Sequence, residues 1–339
     1  MNKVRITLLA SIFLSQITFA QTGAEQYEKA LLSIEKENYT EAVRLLKLAT
    51  TSEPKNQTYQ ITLADALYNK RSYYEATPLY ENLLNDSPDD IKYLGRLAEM
   101  YSMSPQKKKS IDYAERALSL KPKDGETLVI LARCFYDSKH YPRAIKLYEQ
   151  AENKLPDDKD IPFKLANCYT EIADYNKALI NYNRALELDP DNATKLYTTA
   201  NAHYNANEFK RALELYQLAE DKGYYKTTTF YSNWANACMA SKDFNQALFY
   251  LYKAKEFAPY DRELNLSIAD AYTGKGDIKK CREVLDEILE INPNDAEVIY
   301  TLGMTYYKAG HNQKAEQYFN RAFEIDPSLK SLRYTKTSF

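Results

Sequence analysis

The sequence predicts an all-α fold in which about nine pairs of amphipathic helices stack side by side as an α-solenoid. Small residues recur 34 residues apart along most of the chain, as Ala144, Ala178 and Ala212 illustrate. A proline stands twelve residues after most of them, as Pro156 and Pro190 do. Apolar residues recur at helical spacing in between, and a lone helix pair cannot bury such a stripe without a neighbour on each side.

The repeat at residues 159–192 illustrates how each element forms. Its first helix carries Leu165 and Tyr169 on one face, and its second helix carries Tyr182 on the matching face. Pro190 ends the second helix because proline cannot continue the backbone hydrogen-bond ladder. The same order of elements is therefore expected in every repeat.

Nine repeats follow one another without linkers. The residues that mark them are Ala42, Ala76, Ser110, Ala144, Ala178, Ala212, Ala247, Cys281 and Ala315. One spacing, from Ala212 to Ala247, is 35 residues, and Tyr224 stands there in place of the proline. This irregularity predicts a local change in stacking between the sixth and seventh repeats, with Tyr224 or Tyr225 filling the gap.

The ninth repeat carries the most complete motif: Leu302, Gly303, Tyr306, Ala315, Phe319 and Pro327. This pattern resembles the tetratricopeptide repeat family, and alanine replaces the glycine in the other repeats. The resemblance covers residues 23–327 and implies a right-handed superhelix whose first helices line a concave groove. It implies a protein-binding role rather than catalysis, and it leaves the partner open.

The two ends of the chain differ from the repeats. Met1–Ala20 has a basic start, a short apolar run and a small-residue exit, which is typical of a secretory signal peptide cleaved after Ala20. An uncleaved anchor helix is the alternative. We expect an exported protein, periplasmic in a bacterium or secreted, with no integral membrane span; a secreted eukaryotic protein also fits. Residues 328–339 are too short for a repeat and are predicted to cap the last one with Leu329, Leu332 and Tyr334.

No pattern of catalytic or metal-binding residues is present. The three histidines are far apart, and no zinc, calcium or phosphate-loop spacing occurs. We therefore expect no cofactor, no metal and no enzymatic activity. The four cysteines are predicted to be buried free thiols, because they occupy packing positions of the repeat; they are Cys134, Cys168, Cys238 and Cys281.

The ninth position of each repeat, counted from the first residue of that repeat, indicates a binding site. By resemblance to the family this position faces the groove, and three successive repeats place Asn167, Asn201 and Asn236 there. Asparagine is a poor interior helix residue, but its amide can donate to and accept from a peptide unit. The pattern favours capture of an extended backbone. The alternative is that these asparagines bond across helices to neighbouring repeats or face water.

Arg133 stands at the same ninth position in the fourth repeat, and other groove positions carry aromatic side chains that could anchor a ligand. The predicted peptide-binding site therefore also includes Arg133, Tyr136, Phe163, Tyr197 and Tyr204. Charges in the groove are mixed and the net charge of the chain is −2, so a nucleic-acid partner is not expected.

The predicted function is a non-enzymatic protein–protein interaction module that binds an extended segment of an envelope protein in its concave groove. A self-associating scaffold for an envelope assembly is the alternative, with a homo-oligomer built on Trp234 and the aromatic cluster of the seventh repeat. An accessory subunit of a cell-wall enzyme is the least favoured reading, with His203 as the residue to test.

Overall fold

The computed structural model describes the backbone of residues 23–334 and the side chains of residues 23–331. The predicted signal peptide and the side chains of Leu332 and Tyr334 lie outside these residues. The described chain forms eighteen α-helices, a final 3-10 helix and no strand. The helices are α1 (described over 23–35), α2 (Tyr39–Ser52), α3 (Gln57–Asn69), α4 (Tyr73–Asp86), α5 (Ile91–Ser102), α6 (Lys107–Leu120), α7 (Gly125–Asp137), α8 (Tyr141–Glu152), α9 (Ile161–Glu171), α10 (Tyr175–Leu188), α11 (Ala193–Asn205), α12 (Phe209–Asp221), α13 (Thr228–Ala240), α14 (Phe244–Phe257), α15 (Arg262–Lys275), α16 (Ile278–Ile291), α17 (Ala296–Lys308), α18 (Asn312–Ile325) and the 3-10 helix Pro327–Tyr334.

The predicted fold class is confirmed: the described chain is an α-solenoid of helix pairs. We call the odd-numbered helices A helices and the even-numbered ones B helices. The helices form two compact units, with the boundary between Ile172 and Ala173. The first unit holds α1 to α9, and the second holds α10 to α18 with the 3-10 helix. Within each unit, every helix from α2 onward packs against the next one along the chain.

Aspartate and asparagine side chains start most A helices. Asp90 accepts a hydrogen bond from the backbone N–H of Tyr93 at 3.1 Å, and Asp124 accepts one from Thr127 at 3.0 Å. Such a cap stabilises a helix by about 1 kcal/mol because it satisfies an N–H that has no partner within the helix. The acidic residues after the repeat prolines therefore act as helix caps.

Small side chains let the A and B helices approach closely. The eighth position holds an alanine exposed by no more than 1% in eight repeats: Ala30, Ala64, Ala98, Ala132, Ala166, Ala200, Ala235 and Ala269. In the ninth repeat this position is Gly303, and a Cβ atom there would lie 2.8 Å from the ring of Phe319. The glycine therefore leaves room for the ring of Phe319, which packs against it from the B helix.

The four cysteines are buried free thiols, which confirms the prediction made from their positions. Burial raises the pKa of Cys168 and of Cys238 to about 12, because a thiolate would lose its hydration there. At neutral pH these two thiols stay protonated and pack as small apolar groups.

Tyr224 fills the gap that the irregular spacing predicts between the sixth and seventh repeats. Its ring stacks on Tyr197 with centroids 4.4 Å apart and packs on Phe230 at 5.2 Å, whereas Tyr225 is exposed. The neighbouring Trp234 is buried and stacks on Tyr250 at 3.9 Å. Trp234 is thus a core residue of the second unit, and the suggestion that it forms an association surface is wrong.

Candidate functional site

The A helices carry polar and aromatic side chains that are half-buried rather than part of the core. We call this surface the A-helix face, and it includes the ninth position of every repeat. The predicted site residues divide between the two units. Arg133, Tyr136, Phe163 and Asn167 belong to the first unit, and Tyr197, Asn201, Tyr204 and Asn236 belong to the second.

Asn201 already uses its carbonyl oxygen inside the second unit. Its Oδ1 accepts a hydrogen bond of 2.5 Å from the hydroxyl of Tyr216, a buried residue of the adjoining B helix. The same oxygen accepts a second bond of 3.3 Å from Nδ2 of Asn233 on the next A helix. Only the Nδ2 group of Asn201 therefore remains to bind a ligand, and it can donate but not accept.

The first unit repeats this arrangement with a charged acceptor. The hydroxyl of buried Tyr80 donates to Oδ1 of Asp65 at 2.5 Å. Asp65 stands at the ninth position of its repeat and Tyr80 at the twenty-fourth, as Asn201 and Tyr216 do in theirs. A polar residue at the ninth position therefore satisfies a buried tyrosine of the same repeat, which sequence reasoning did not anticipate.

Asn236 lacks this internal partner. The twenty-fourth position of its repeat is Leu251, which has no hydroxyl to donate. Asn236 is half-buried on α13, and among the described residues no hydrogen bond reaches its side chain. Of the two asparagines at the ninth position in the second unit, Asn236 is the one whose amide can both donate and accept.

Asn233 belongs to the same surface and was missed in the sequence. Its Nδ2 donates to the hydroxyl of Tyr197 at 2.7 Å and to Asn201 at 3.3 Å. Both amide hydrogens are thus used, and its Oδ1 is left as an acceptor. A signal was present, because Asn233 lies one helical turn before Asn236 and shares its face.

The two tyrosines predicted in the second unit are half-buried. Tyr197 is held by Asn233 and by its stack on Tyr224, so its ring has a defined position. Tyr204 packs against Phe209 with ring centroids 5.9 Å apart. Rings that are fixed and partly exposed make suitable contact surfaces, because little side-chain entropy is lost on binding.

Among the predicted residues of the first unit, Arg133 has the most clearly defined partner. One of its guanidinium nitrogens donates to Oγ of Ser102 at 2.5 Å, while its Nε is buried and has no partner among the described residues. Tyr136 packs edge-to-face on Tyr141 at 5.6 Å. Phe163 and Asn167 are half-buried on α9, and each already takes part in an interaction of its own.

Ionised side chains on the first unit's A-helix face pair with one another. Lys92 donates to Asp65 at 2.7 Å. Glu99 accepts from the hydroxyl of Tyr68, whose ring lies under the guanidinium of Arg96 at 3.8 Å. Burial raises the pKa of the Glu99 carboxyl, and the positive charge of Arg133 acts in the opposite direction.

His203 is a packed side chain of the second unit. It is buried, its Nδ1 lies 2.7 Å from Glu208 and its Nε2 lies 3.2 Å from Asn183. Across the described side chains, no three His, Cys, Asp or Glu residues are grouped so that they could hold a metal ion. Among the described helices, none has both the length and the apolar character needed to cross a bilayer.

Comparisons with known families match most of the repeat region. Profiles of the tetratricopeptide repeat match residues 163–226, 239–299 and 296–329. A profile of subunit 3 of the anaphase-promoting complex, or cyclosome, matches residues 103–185. No curated protein matches the chain in a sequence search.

Several solved structures resemble this chain. A tetratricopeptide repeat protein from Parabacteroides merdae ATCC 43184 is 17% identical, with a TM-score of 0.54 over 74% of this chain and 99% of that one. A monomeric mutant of IFIT1 is 15% identical, with a TM-score of 0.51 over 89% and 71%. YrrB, described as a tetratricopeptide repeat protein with an unusual peptide-binding site, is 22% identical, with a TM-score of 0.46 over 56% and 98%. At these identities the likeness concerns the fold alone.

Proposed function

This chain belongs to the tetratricopeptide repeat family, and we propose that it is a non-enzymatic module that binds an extended segment of another protein along its A-helix faces. Proteins of this family generally act through protein–protein contacts, and no catalytic family matches the chain. The partner we propose is a protein of the cell envelope. This part of the proposal rests on Met1–Ala20, which has the pattern of an export signal.

The unused amide groups of the second unit are the observation that carries the proposal. Asn201 retains a donor, Asn233 retains an acceptor, and Asn236 retains both. A peptide backbone offers one C=O and one N–H per residue, so such a surface can bind it whatever its side chains are. Polar groups that are half-buried and unpaired also gain more from a ligand than fully hydrated ones do.

The aromatic and charged residues would add selectivity to this backbone capture. In the second unit, Tyr197 and Tyr204 offer ring faces to apolar side chains of the ligand. In the first unit, Tyr136 and Phe163 offer the same, and the buried Nε of Arg133 offers a donor to an acceptor that can reach it. We therefore propose Arg133, Tyr136, Phe163, Asn167, Tyr197, Asn201, Tyr204 and Asn236 as site residues, with Asn233 added.

The proposed organisation of the chain follows the repeats. Residues 1–20 would be removed on export, residues 23–327 would form the nine-repeat binding domain, and residues 328–339 would cap it. Leu329 packs on the core of the second unit, as a capping residue should. Mass spectrometry of the protein purified from its native cell would test the first step, with a mature chain starting at Gln21 as the expected result.

Affinity purification from envelope extract tests the binding proposal. We expect the triple variant Asn201→Ala, Asn233→Ala, Asn236→Ala to lose partners that the wild type retains. The matched control replaces two exposed B-helix asparagines, Asn245→Ala and Asn320→Ala, and should retain them. Unchanged partners in the triple variant would rule out the second unit's A-helix face as the site.

Self-association through α14 is a second candidate function. Three large residues of that helix are unusually exposed: Phe249 at 56%, Tyr252 at 43% and Phe257 at 53%. A row of exposed aromatic side chains on one helix favours a contact with another protein surface, including a second copy. Sedimentation of the mature chain at high concentration would test it, because a protein that stays monomeric there does not self-associate.

A further inference from the structure

A cavity of about 730 Å³ lies in the first unit, on helices α2 to α5 and the turn after α5. Its floor is made by Leu63, Leu67 and Met100, all buried. None of the site residues proposed above lines it. The cavity is therefore independent of peptide capture on the A-helix faces.

An exceptional turn contributes to this cavity. In eight of the nine repeats the turn between the A and B helices contains a residue with positive φ at the fifteenth position: Glu37, Arg71, Lys139, Ala173, Asn207, Lys242, Gly276 and Gly310. In the third repeat this position is Pro105, whose ring holds φ near −65°. The chain therefore follows another path there, and the flanking residues Ser104 and Gln106 line the cavity.

Aromatic rings form the walls of the cavity. Tyr73, Tyr74 and Tyr101 line it, and Tyr74 is 96% exposed. Its position at the surface places Tyr74 at the mouth of the cavity. Met100 below adds a polarizable thioether that adapts to ligand shape. Stacking and edge-to-face contacts with ring compounds are the interactions that such walls favour.

The lining carries no unpaired charge. Its two ionisable carboxylate and ammonium groups belong to Lys47 and Glu75, which bond to each other at 2.5 Å. Several polar groups are also satisfied internally: the hydroxyl of Ser104 donates to the carbonyl of Tyr101 at 3.0 Å, and that of Thr77 donates to the carbonyl of Tyr73 at 2.8 Å. A charged ligand would lose its hydration here without gaining a partner.

We propose that this cavity is a binding site for a small, uncharged aromatic compound. The volume lies within the range typical of small-molecule sites, roughly 300–1,000 Å³. The apolar floor and the phenol rings would cover the ring system of the ligand. The side-chain amide of Gln106 would provide the polar contact that orients it.

Fluorescence titration with N-phenyl-1-naphthylamine, a neutral aromatic probe that emits in apolar sites, tests the proposal on the full mature chain. We expect saturable binding with one site per chain. Tyr74→Ala should weaken it by about threefold to tenfold, as expected for the loss of one aromatic contact. Because Tyr74 is exposed, this change should leave the melting temperature unchanged.

Two further variants complete the design. Ser104→Phe should fill the cavity and abolish saturable binding. Tyr225→Ala, which removes another highly exposed tyrosine from the second unit, should bind as the wild type does. The proposal is overturned if binding does not saturate, or if Tyr74→Ala and Tyr225→Ala behave alike. It is also overturned if the anionic probe 1-anilinonaphthalene-8-sulfonate binds more tightly than the neutral one to the same site.

Discussion

The A-helix faces of the two units differ in chemistry although they use the same positions of the repeat. In the first unit the face carries ionised groups, and these pair with one another, as Asp65 does with Lys92. In the sixth and seventh repeats, which lie in the second unit, the corresponding residues are amides and phenols, and part of their hydrogen-bonding capacity is unused; the eighth repeat returns to a carboxylate, Asp270. A polar residue on this face therefore indicates a ligand site only after its internal bonds have been counted.

The ninth position makes this difference measurable. Asp65 accepts a hydrogen bond from a buried tyrosine through a carboxylate oxygen, and Asn201 accepts one through a neutral amide oxygen. Asn236 accepts none from the twenty-fourth position of its repeat, which is Leu251. Replacing each by alanine at this one position should produce three different losses of stability. The order of these three losses tests whether the residue at the ninth position stabilises its helix pair or is available to bind a partner.

Asp65→Ala should have the largest effect. It leaves the buried hydroxyl of Tyr80 without an acceptor and removes the partner of Lys92, so we expect a loss of about 2–3 kcal/mol in the free energy of unfolding. Hydrogen exchange of the backbone amides of α3 and α4 would measure it locally. An exchange pattern equal to that of the wild type would mean that Asp65 is not part of the helix-pair packing.

Asn201→Ala should cost less, about 1–2 kcal/mol, because the hydroxyl of Tyr216 loses a neutral acceptor. The single tryptophan, Trp234, stacks on Tyr216 with centroids 6.0 Å apart, so its fluorescence reports unfolding of this unit. Urea titration followed at Trp234 is the measurement. A loss as large as that of Asp65→Ala would remove the distinction between charged and neutral acceptors.

Glu99→Gln should change the pH dependence of stability in the first unit. Because burial raises the pKa of Glu99 above its ordinary value of 4.5, the folded chain binds this proton more tightly than the unfolded chain does. The stability that results is complete below pH 4.5 and is lost as the pH rises through the raised pKa. We therefore expect the unfolding midpoint of Glu99→Gln to depend less on pH than that of the wild type above pH 4.5.

Urea midpoints measured between pH 4 and pH 7 give this comparison. Glu35→Gln, which replaces an exposed carboxyl on α1, is the control and should follow the wild type. Identical pH profiles for the wild type and Glu99→Gln would show that the Glu99 carboxyl titrates alike in the folded and unfolded chains.

Asn236→Ala should have the smallest effect on stability, within about 0.5 kcal/mol of zero, because it breaks no internal hydrogen bond. Alanine is also the better helix former. Urea titration at Trp234 would again measure it. A clear loss of stability would show that this amide has a partner inside the protein. Asn236 would then be no better suited to bind a ligand than Asn201 is.

The helix pairs could be predicted from the sequence because a 34-residue period repeats both the apolar stripes and the proline that ends each B helix. Whether the side chain at the ninth position is hydrogen-bonded within its own repeat could not be predicted in this way, because it depends on the residue fifteen positions later. Tyr216 engages Asn201, whereas Leu251 leaves Asn236 without a partner. A pattern at one position does not reveal such a pair, and both positions must be compared within each repeat.

Two other features escaped prediction for related reasons. Asn233 stands at a position where the other repeats have no asparagine, so it does not belong to any pattern that recurs from repeat to repeat. The cavity depends on how the turn around Pro105 folds, and a sequence pattern indicates that such a turn is unusual without giving its path. Tyr224, by contrast, was predictable because the insertion and the missing proline coincide with it.

Photo-crosslinking in the native cell tests most directly whether the unused amides of the second unit bind a partner protein. A benzophenone side chain introduced at Asn236 should form an adduct with another protein, and the same group at the exposed B-helix residue Asn245 should not. If adducts form at Asn245 and none at Asn236, the partner binds elsewhere and capture by this face is contradicted.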